Sequence, residues 1–189
     1  PEAKIGGSHS TASKVMIVSK SARAGTAVEY TFGQVGIDTL SIDYSGNCGN
    51  LTSAIGVFAL HAGLVNPNEP MTEVELYNTN TGAKVRQTIP VEQGEPAVGG
   101  EYSIDGVPGT GARIDSQFMT PGGEVLGRSI LPTGSPVDTV TVGGTDYPVS
   151  IVDAVNLCVF VHADDLRLTG SELPDQLEDR TDILQRDRK

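Results

Sequence analysis

The sequence predicts an α+β fold, a curved and mainly antiparallel sheet wrapped around one central buried helix. Three observations carry that expectation. Short segments rich in β-branched residues recur along the chain, separated by Gly, Pro and Asn turns. One segment, residues 50–64, is apolar nearly all round over about 15 residues, which suits a helix inside a protein and is too short to span a bilayer. No second helical pattern follows until a polar tail.

Taken in order, Lys14-Val15-Met16-Ile17-Val18-Ser19 is a short apolar run with β-branched residues and reads as a buried strand. Residues 28–35 alternate loosely around Tyr30 and Phe32, and residues 39–44 alternate more cleanly. The helical segment contains Leu51, Ala54, Ile55, Val57, Phe58, Ala59 and Leu60, so it is expected to be buried on every side. Thr72-Glu73-Val74-Glu75-Leu76-Tyr77 alternates strictly, Asn80-Thr81-Gly82 is a turn, and residues 84–89 form the partner strand of a hairpin. Residues 113–119, 137–142 and 149–155 are further strands, with Pro121-Gly122-Gly123 and Gly143-Gly144 turning the chain. From Ser171 onward the chain reads as a polar helix with Pro174 in its first turn.

The chain has 189 residues, 38% hydrophobic and 20% charged, an ordinary globular composition. A formal charge of −11 argues against nucleic acid as a partner, since a phosphate backbone calls for a basic footprint. The first 28 residues are the exception, with Lys4, Lys14, Lys20 and Arg23 against Glu2 alone. A local positive stretch in an acidic protein suits a small anionic ligand. No apolar run reaches membrane-spanning length, and no basic-then-apolar leader is visible. Cys48 and Cys158 make neither a disulfide framework nor a metal-ligand pattern. With His9, His61 and His162 scattered, no metal site is expected and a reduced, cytoplasmic setting is. The chain starts at Pro1 and stops at Lys189 within a charged helical pattern, which reads as a fragment or processed form.

Two segments carry chemistry. Ser45-Gly46-Asn47-Cys48-Gly49-Asn50-Leu51 joins a strand to the start of the apolar helix. Two glycines allow close backbone approach, and the first N–H groups of a helix lack internal partners and attract a carboxylate. A cysteine there is biased toward its thiolate and can exchange a proton with carbon. The competing reading is a buried structural thiol beside an ordinary turn. The second segment, Gly6-Gly7-Ser8-His9-Ser10-Thr11-Ala12-Ser13-Lys14, is a glycine- and hydroxyl-rich loop that delivers Lys14 to the mouth of a strand. It lacks P-loop spacing. Lys14 can pair with an anion or, if desolvated, act as a base; the alternative is a lysine protecting a sheet edge. Gly106-Val107-Pro108-Gly109-Thr110-Gly111 is followed by no helical pattern and reads as a strand connection. Cys158, within Val159, Phe160 and Val161, reads as core.

Thr11-Ala12-Ser13-Lys14-Val15 followed by Asp43-Tyr44-Ser45-Gly46-Asn47-Cys48-Gly49-Asn50 resembles the PrpF family, the methylaconitate cis-trans isomerases and their relatives. Tyr77-Asn78-Thr79-Asn80-Thr81-Gly82, Pro108-Gly109-Thr110-Gly111-Ala112 and Leu131-Pro132-Thr133-Gly134 extend the resemblance over nearly the whole chain. It implies a diaminopimelate epimerase-like fold of two lobes, with residues 1–146 in the first, its N-terminal part missing, and residues 147–189 beginning the second. It implies a cofactor-independent isomerase of small unsaturated di- and tricarboxylic acids, acting by proton abstraction and return, with no metal and as a homodimer. Lys14 and Cys48 fall on the catalytic positions. Ser13, Asn47, Gly49, Asn50, Leu51 and Asn156 fall on substrate-binding positions, although Val155-Asn156-Leu157 departs from the family's Gly-Asn-Pro pattern. An oxalomesaconate-type tautomerase, an amino-acid epimerase and a non-catalytic binding domain on the same scaffold are the alternatives.

Overall fold

The computed structural model describes residues 10–37, 39–123 and 125–184. Residues 6–9 of the glycine-rich loop and the last five residues of the expected tail helix lie outside the described residues. A 3-10 turn at Ser10–Ala12 leads into β1 (Lys14–Lys20), followed by β2 (Val28–Val35) and β3 (Ile42–Asp43). Then come α1 (Gly49–Thr52), α2 (Ile55–His61), β4 (Met71–Asn78), β5 (Lys84–Glu92), β6 (Glu95–Pro96) and β7 (Asp115–Phe118). A second group comprises β8 (Asp138–Val142), β9 (Thr145–Ala154) and β10 (Asn156–Val161), with α3 (Pro174–Glu178) and α4 (Thr181–Leu184) after them.

The first seven strands form one sheet with a path β1-β2-β4-β5-β6, on which β3 joins β2 and β7 joins β5. Every pairing in it is antiparallel except β2 with β4, so the sheet is mainly antiparallel as the sequence predicts. The strict alternation of Thr72 to Tyr77 appears as a clean inward-outward pattern along β4, whose register continues into β5 across the Asn80-Thr81-Gly82 turn. The inward positions make the core, Val28, Tyr30, Val74, Leu76, Val85, Ile89 and Val91, and Ile55, Ala59 and Leu60 of α2 pack against it.

The apolar helix departs from expectation in two ways. It is broken at Ser53-Ala54 into α1 and α2. It is also buried on one side only, through Ile55, Gly56, Ala59 and Leu60, while Phe58 stays 51% exposed. Among the described residues the sheet covers a single face of the helix. Between the helix and β1, Met16, Val18, Leu51, Ala54, Ile55 and Phe58 line an open apolar groove. The strand at Lys14 is likewise an edge strand with half-exposed residues rather than a buried one.

The second sheet is the meander β8-β9-β10. It starts at Asp138. Its outer strand β10 is exposed along its whole length, which corrects the reading of Cys158 as core: the thiol is exposed. The Gly106 to Gly111 segment is a turn closed by a bridge between Tyr102 and Gly111, with no helix after it. Among the described residues, no helix is long and apolar enough to cross a membrane.

Candidate active site

Cys48 is the residue preceding α1, in extended conformation (φ −128°, ψ 104°). That is the N-cap position, where Ser, Thr, Asp or Asn would ordinarily turn its side chain back onto the free N–H groups of the first turn. Cys48 makes no such cap. Its sulfur instead lies 3.6 Å from Nζ of Lys14, a contact between residues 34 apart in sequence. The amides of Gly49, Asn50 and Leu51 precede the first intrahelical bond, from Thr52 N–H to the Cys48 carbonyl at 2.9 Å. A side chain built at Gly49 would meet nothing within 4 Å, so the backbone there faces open space. Because α1 is a single turn, these donors themselves, rather than the dipole of a long helix, supply the positive end.

The segment before Cys48 is braced from several directions. Asp43 Oδ1 accepts the Ser45 amide at 2.8 Å, an Asx-turn that also holds the Asp43 carboxyl below the usual carboxylate range. Asn80 Nδ2 donates to the carbonyls of Tyr44 (2.7 Å) and Phe32 (2.8 Å), and its Oδ1 accepts the Phe32 amide at 2.8 Å. Strand β4 leaves β2 at Asn78, and the Asn80 carboxamide takes the place of the next peptide group. Asn47 N–H donates to Oδ1 of Asn156, the first residue of β10, at 3.3 Å, which joins the two sheets at the site.

Thr52, fully buried, donates its hydroxyl toward the Cys48 carbonyl at 2.8 Å and lies 3.3 Å from Oδ1 of Asn47. Nδ2 of the Asn47 carboxamide, buried beside Cys48, has no hydrogen-bond partner among the described residues. A buried donor left unpaired costs about 1–3 kcal/mol unless something fills it. An anionic or carbonyl oxygen of a bound ligand would.

The structure thus brings together Lys14, Cys48, Asn47, Gly49, Asn50, Leu51 and Asn156. Ser13 is 1% exposed, and its carbonyl accepts both the Val35 amide and the Gln34 side chain at 2.8 Å, fixing the start of β1 against the end of β2. The sequence reading gave Asp43, Thr52 and Asn80 no role at the site. Asp43-x-Ser45 is a turn signature that could have been found. Thr52 and Asn80 act across the fold and leave no local signal. Among the described residues, no group of three or more His, Cys, Asp and Glu side chains is arranged to hold a metal ion.

Comparison with known proteins gives one picture. A family model described as "PrpF protein" matches residues 3–188. The chain is 42% identical over 180 residues to 3-methylitaconate isomerase of Eubacterium barkeri, covering 95% of this chain and 47% of that protein. It is 36% identical over 180 residues to 2-methyl-aconitate isomerase of Shewanella oneidensis, covering 92% and 45%. It is 36% identical over 179 residues to (4E)-oxalomesaconate Delta-isomerase of Novosphingobium, covering 95% and 49%. A crystal structure of methylitaconate-delta-isomerase superimposes with a TM-score of 0.74 at 41% identity, over 96% of this chain and 47% of that one. The chain spans about half the length of the curated relatives it matches.

Proposed function

The chain belongs to the PrpF family, and from that premise we propose that it forms the Lys14–Cys48 half of an isomerase that moves a proton on a small unsaturated di- or tricarboxylic acid. The observation that carries the reading is the 3.6 Å contact between Lys14 Nζ and Cys48 Sγ at the open start of α1. Relatives named for methylitaconate, 2-methyl-aconitate and oxalomesaconate supply the substrate class.

The chemistry follows from the groups present. A proton on a carbon allylic to a double bond and conjugated through it to a carboxylate is removed by Lys14 as the neutral amine. The electron pair spreads over the allyl unit onto a carboxylate oxygen, giving a dienolate. The amides of Gly49, Asn50 and Leu51 and the unpaired Nδ2 of Asn47 offer hydrogen bonds to that oxygen, the arrangement that stabilises charge as it develops. Cys48, as the thiol, returns a proton to the same carbon after bond rotation or to the far end of the allyl unit, and the lysine–thiol contact resets the pair by proton transfer. General acid–base groups placed this way contribute about 10²–10⁴-fold each.

The test is proton NMR in heavy water on the intact protein, with methylitaconate, 2-methylaconitate, aconitate and oxalomesaconate. Deuterium entering an allylic carbon as an isomer forms, and falling by about 10²-fold or more in Lys14→Met, is the expected result. A folded protein that binds one of these acids without exchanging any carbon-bound proton would sink the isomerase reading in favour of a binding domain.

A further inference from the structure

The break between α1 and α2 has a specific cause. In a continuous helix the Gly56 amide would donate to the Thr52 carbonyl four residues back. Here the side chain of Gln87, on β5 and fully buried, is inserted between them. Its Oε1 accepts the Gly56 amide at 2.8 Å, and its Nε2 donates to the Thr52 carbonyl at 2.8 Å and to the Ser116 hydroxyl at 2.9 Å. Side-chain insertion into the i→i−4 ladder is a known origin of helix kinks. The Ser53 hydroxyl, donating to the Asn50 carbonyl at 2.6 Å, reinforces the bend. Glycine at 56 is part of the device, since a side chain there would meet Gln87 Oε1 at 2.6 Å and collide with Ile89.

Thr52, the residue Gln87 grips, is the one whose hydroxyl holds the Cys48 carbonyl and faces Oδ1 of Asn47. We propose that Gln87 is a positioning residue for the Cys48 centre: by splitting the helix it frees α1 to aim its first turn, and through Thr52 it sets the Cys48 backbone. This rests on the reading of Cys48 as a reacting group. Thiol alkylation needs no turnover, so failure of this inference and failure of the isomerase reading are distinguishable.

Gln87→Leu removes the wedge, and the Thr52 carbonyl and Gly56 amide it separated can then bond to each other. The fold is therefore expected to survive while α1 realigns with α2. Gln87→Glu offers a graded version. Its neutral carboxyl can accept from Gly56 and donate to Thr52 as the amide does, but the carboxylate cannot donate, and burial raises the pH at which it ionises. The experiment measures the rate of Cys48 alkylation by iodoacetamide against pH in the intact protein, read by mass spectrometry of the peptide that carries Cys48, with circular dichroism as the check on folding. Gln87→Leu is expected to shift the rate by about threefold or more at fixed pH. Gln87→Glu is expected to follow the parent on the acid side and depart from it through a second titration that the parent lacks. Parent-like profiles for both folded variants overturn the proposal. If Gln87→Leu does not fold, a Gln87→Glu profile without the second titration overturns it alone.

Discussion

Replacing Asn80 with alanine removes, in one step, three hydrogen bonds that tie the turn after β4 to β2 and to the segment leading to Cys48. The amide and carbonyl of Phe32 and the carbonyl of Tyr44 lose their partner at once. At about 1 kcal/mol net per bond, the loss is about 3 kcal/mol. It falls near the upper end because Phe32 is 4% exposed and water cannot readily replace the missing groups. Asn80→Asp separates donor from acceptor. A carboxylate can still accept from Phe32 N–H, but it points lone pairs at two carbonyls, so at neutral pH it should cost at least as much as alanine. Protonation restores one donor, and stability should recover as the pH falls. Urea unfolding of the intact protein, followed by circular dichroism, measures both. A loss under about 1 kcal/mol for Asn80→Ala, or an aspartate tolerated at neutral pH, would refute the idea that this carboxamide stands in for a peptide of the ladder. Release of the Tyr44 carbonyl also loosens the chain before Cys48, so alkylation of that thiol should quicken in parallel.

Two further outcomes follow from local geometry. Gly123 has φ +77°, and a side chain there would collide with the Arg128 carbonyl. Gly123→Ala therefore combines left-handed strain with a backbone clash and should cost about 2 kcal/mol or more in urea unfolding. Glu172 accepts the Thr169 amide at 2.7 Å, with the Thr169 hydroxyl and the Gly170 amide beside it, and its pKa is lowered to about 2. Its contribution to stability is thus present above the ordinary glutamate value and lost as the pH falls toward 2. Carbon-detected NMR titration should find the Glu172 carboxyl near 2, and an ordinary value would remove the turn as the cause.

The parts of the fold legible in the sequence are those fixed by local pattern. The alternation of Thr72 to Tyr77 gave β4 its faces, and the Asn80-Thr81-Gly82 turn gave the hairpin its register. The reading failed where tertiary surroundings decide. Residues 39–44 alternate well, yet only Ile42–Asp43 pair with β2. The apolar stretch around Cys158 looks like core, but it forms the outer strand of a three-stranded sheet and stays exposed. The helix break is invisible locally because its cause, Gln87, lies 31 residues beyond the Gly56 amide it takes.

The site shows the same division, and the division has a chemical consequence. The glycines flanking Asn47-Cys48 signal close backbone approach and Lys14 stands at the mouth of a strand, so both residues could be singled out from sequence, whereas their contact with each other joins residues 34 apart and shows only in the fold. Four braces converge on the few residues around Cys48: Asp43 on the Ser45 amide, Asn80 on the Tyr44 carbonyl, Asn156 on the Asn47 amide and Thr52 on the Cys48 carbonyl. All four act on backbone groups, and the thiol takes part in none of them. A cysteine kept only for packing would need no such support, because a small apolar side chain tolerates shifts of a few tenths of an ångström. A group that must pass a proton to and from a carbon atom does need it, since proton transfer falls away steeply with misplacement. The fixed backbone, the uncapped amides of α1 and the unpaired Asn47 donor are three features of one requirement, a rigid frame with its hydrogen-bonding capacity left for a ligand.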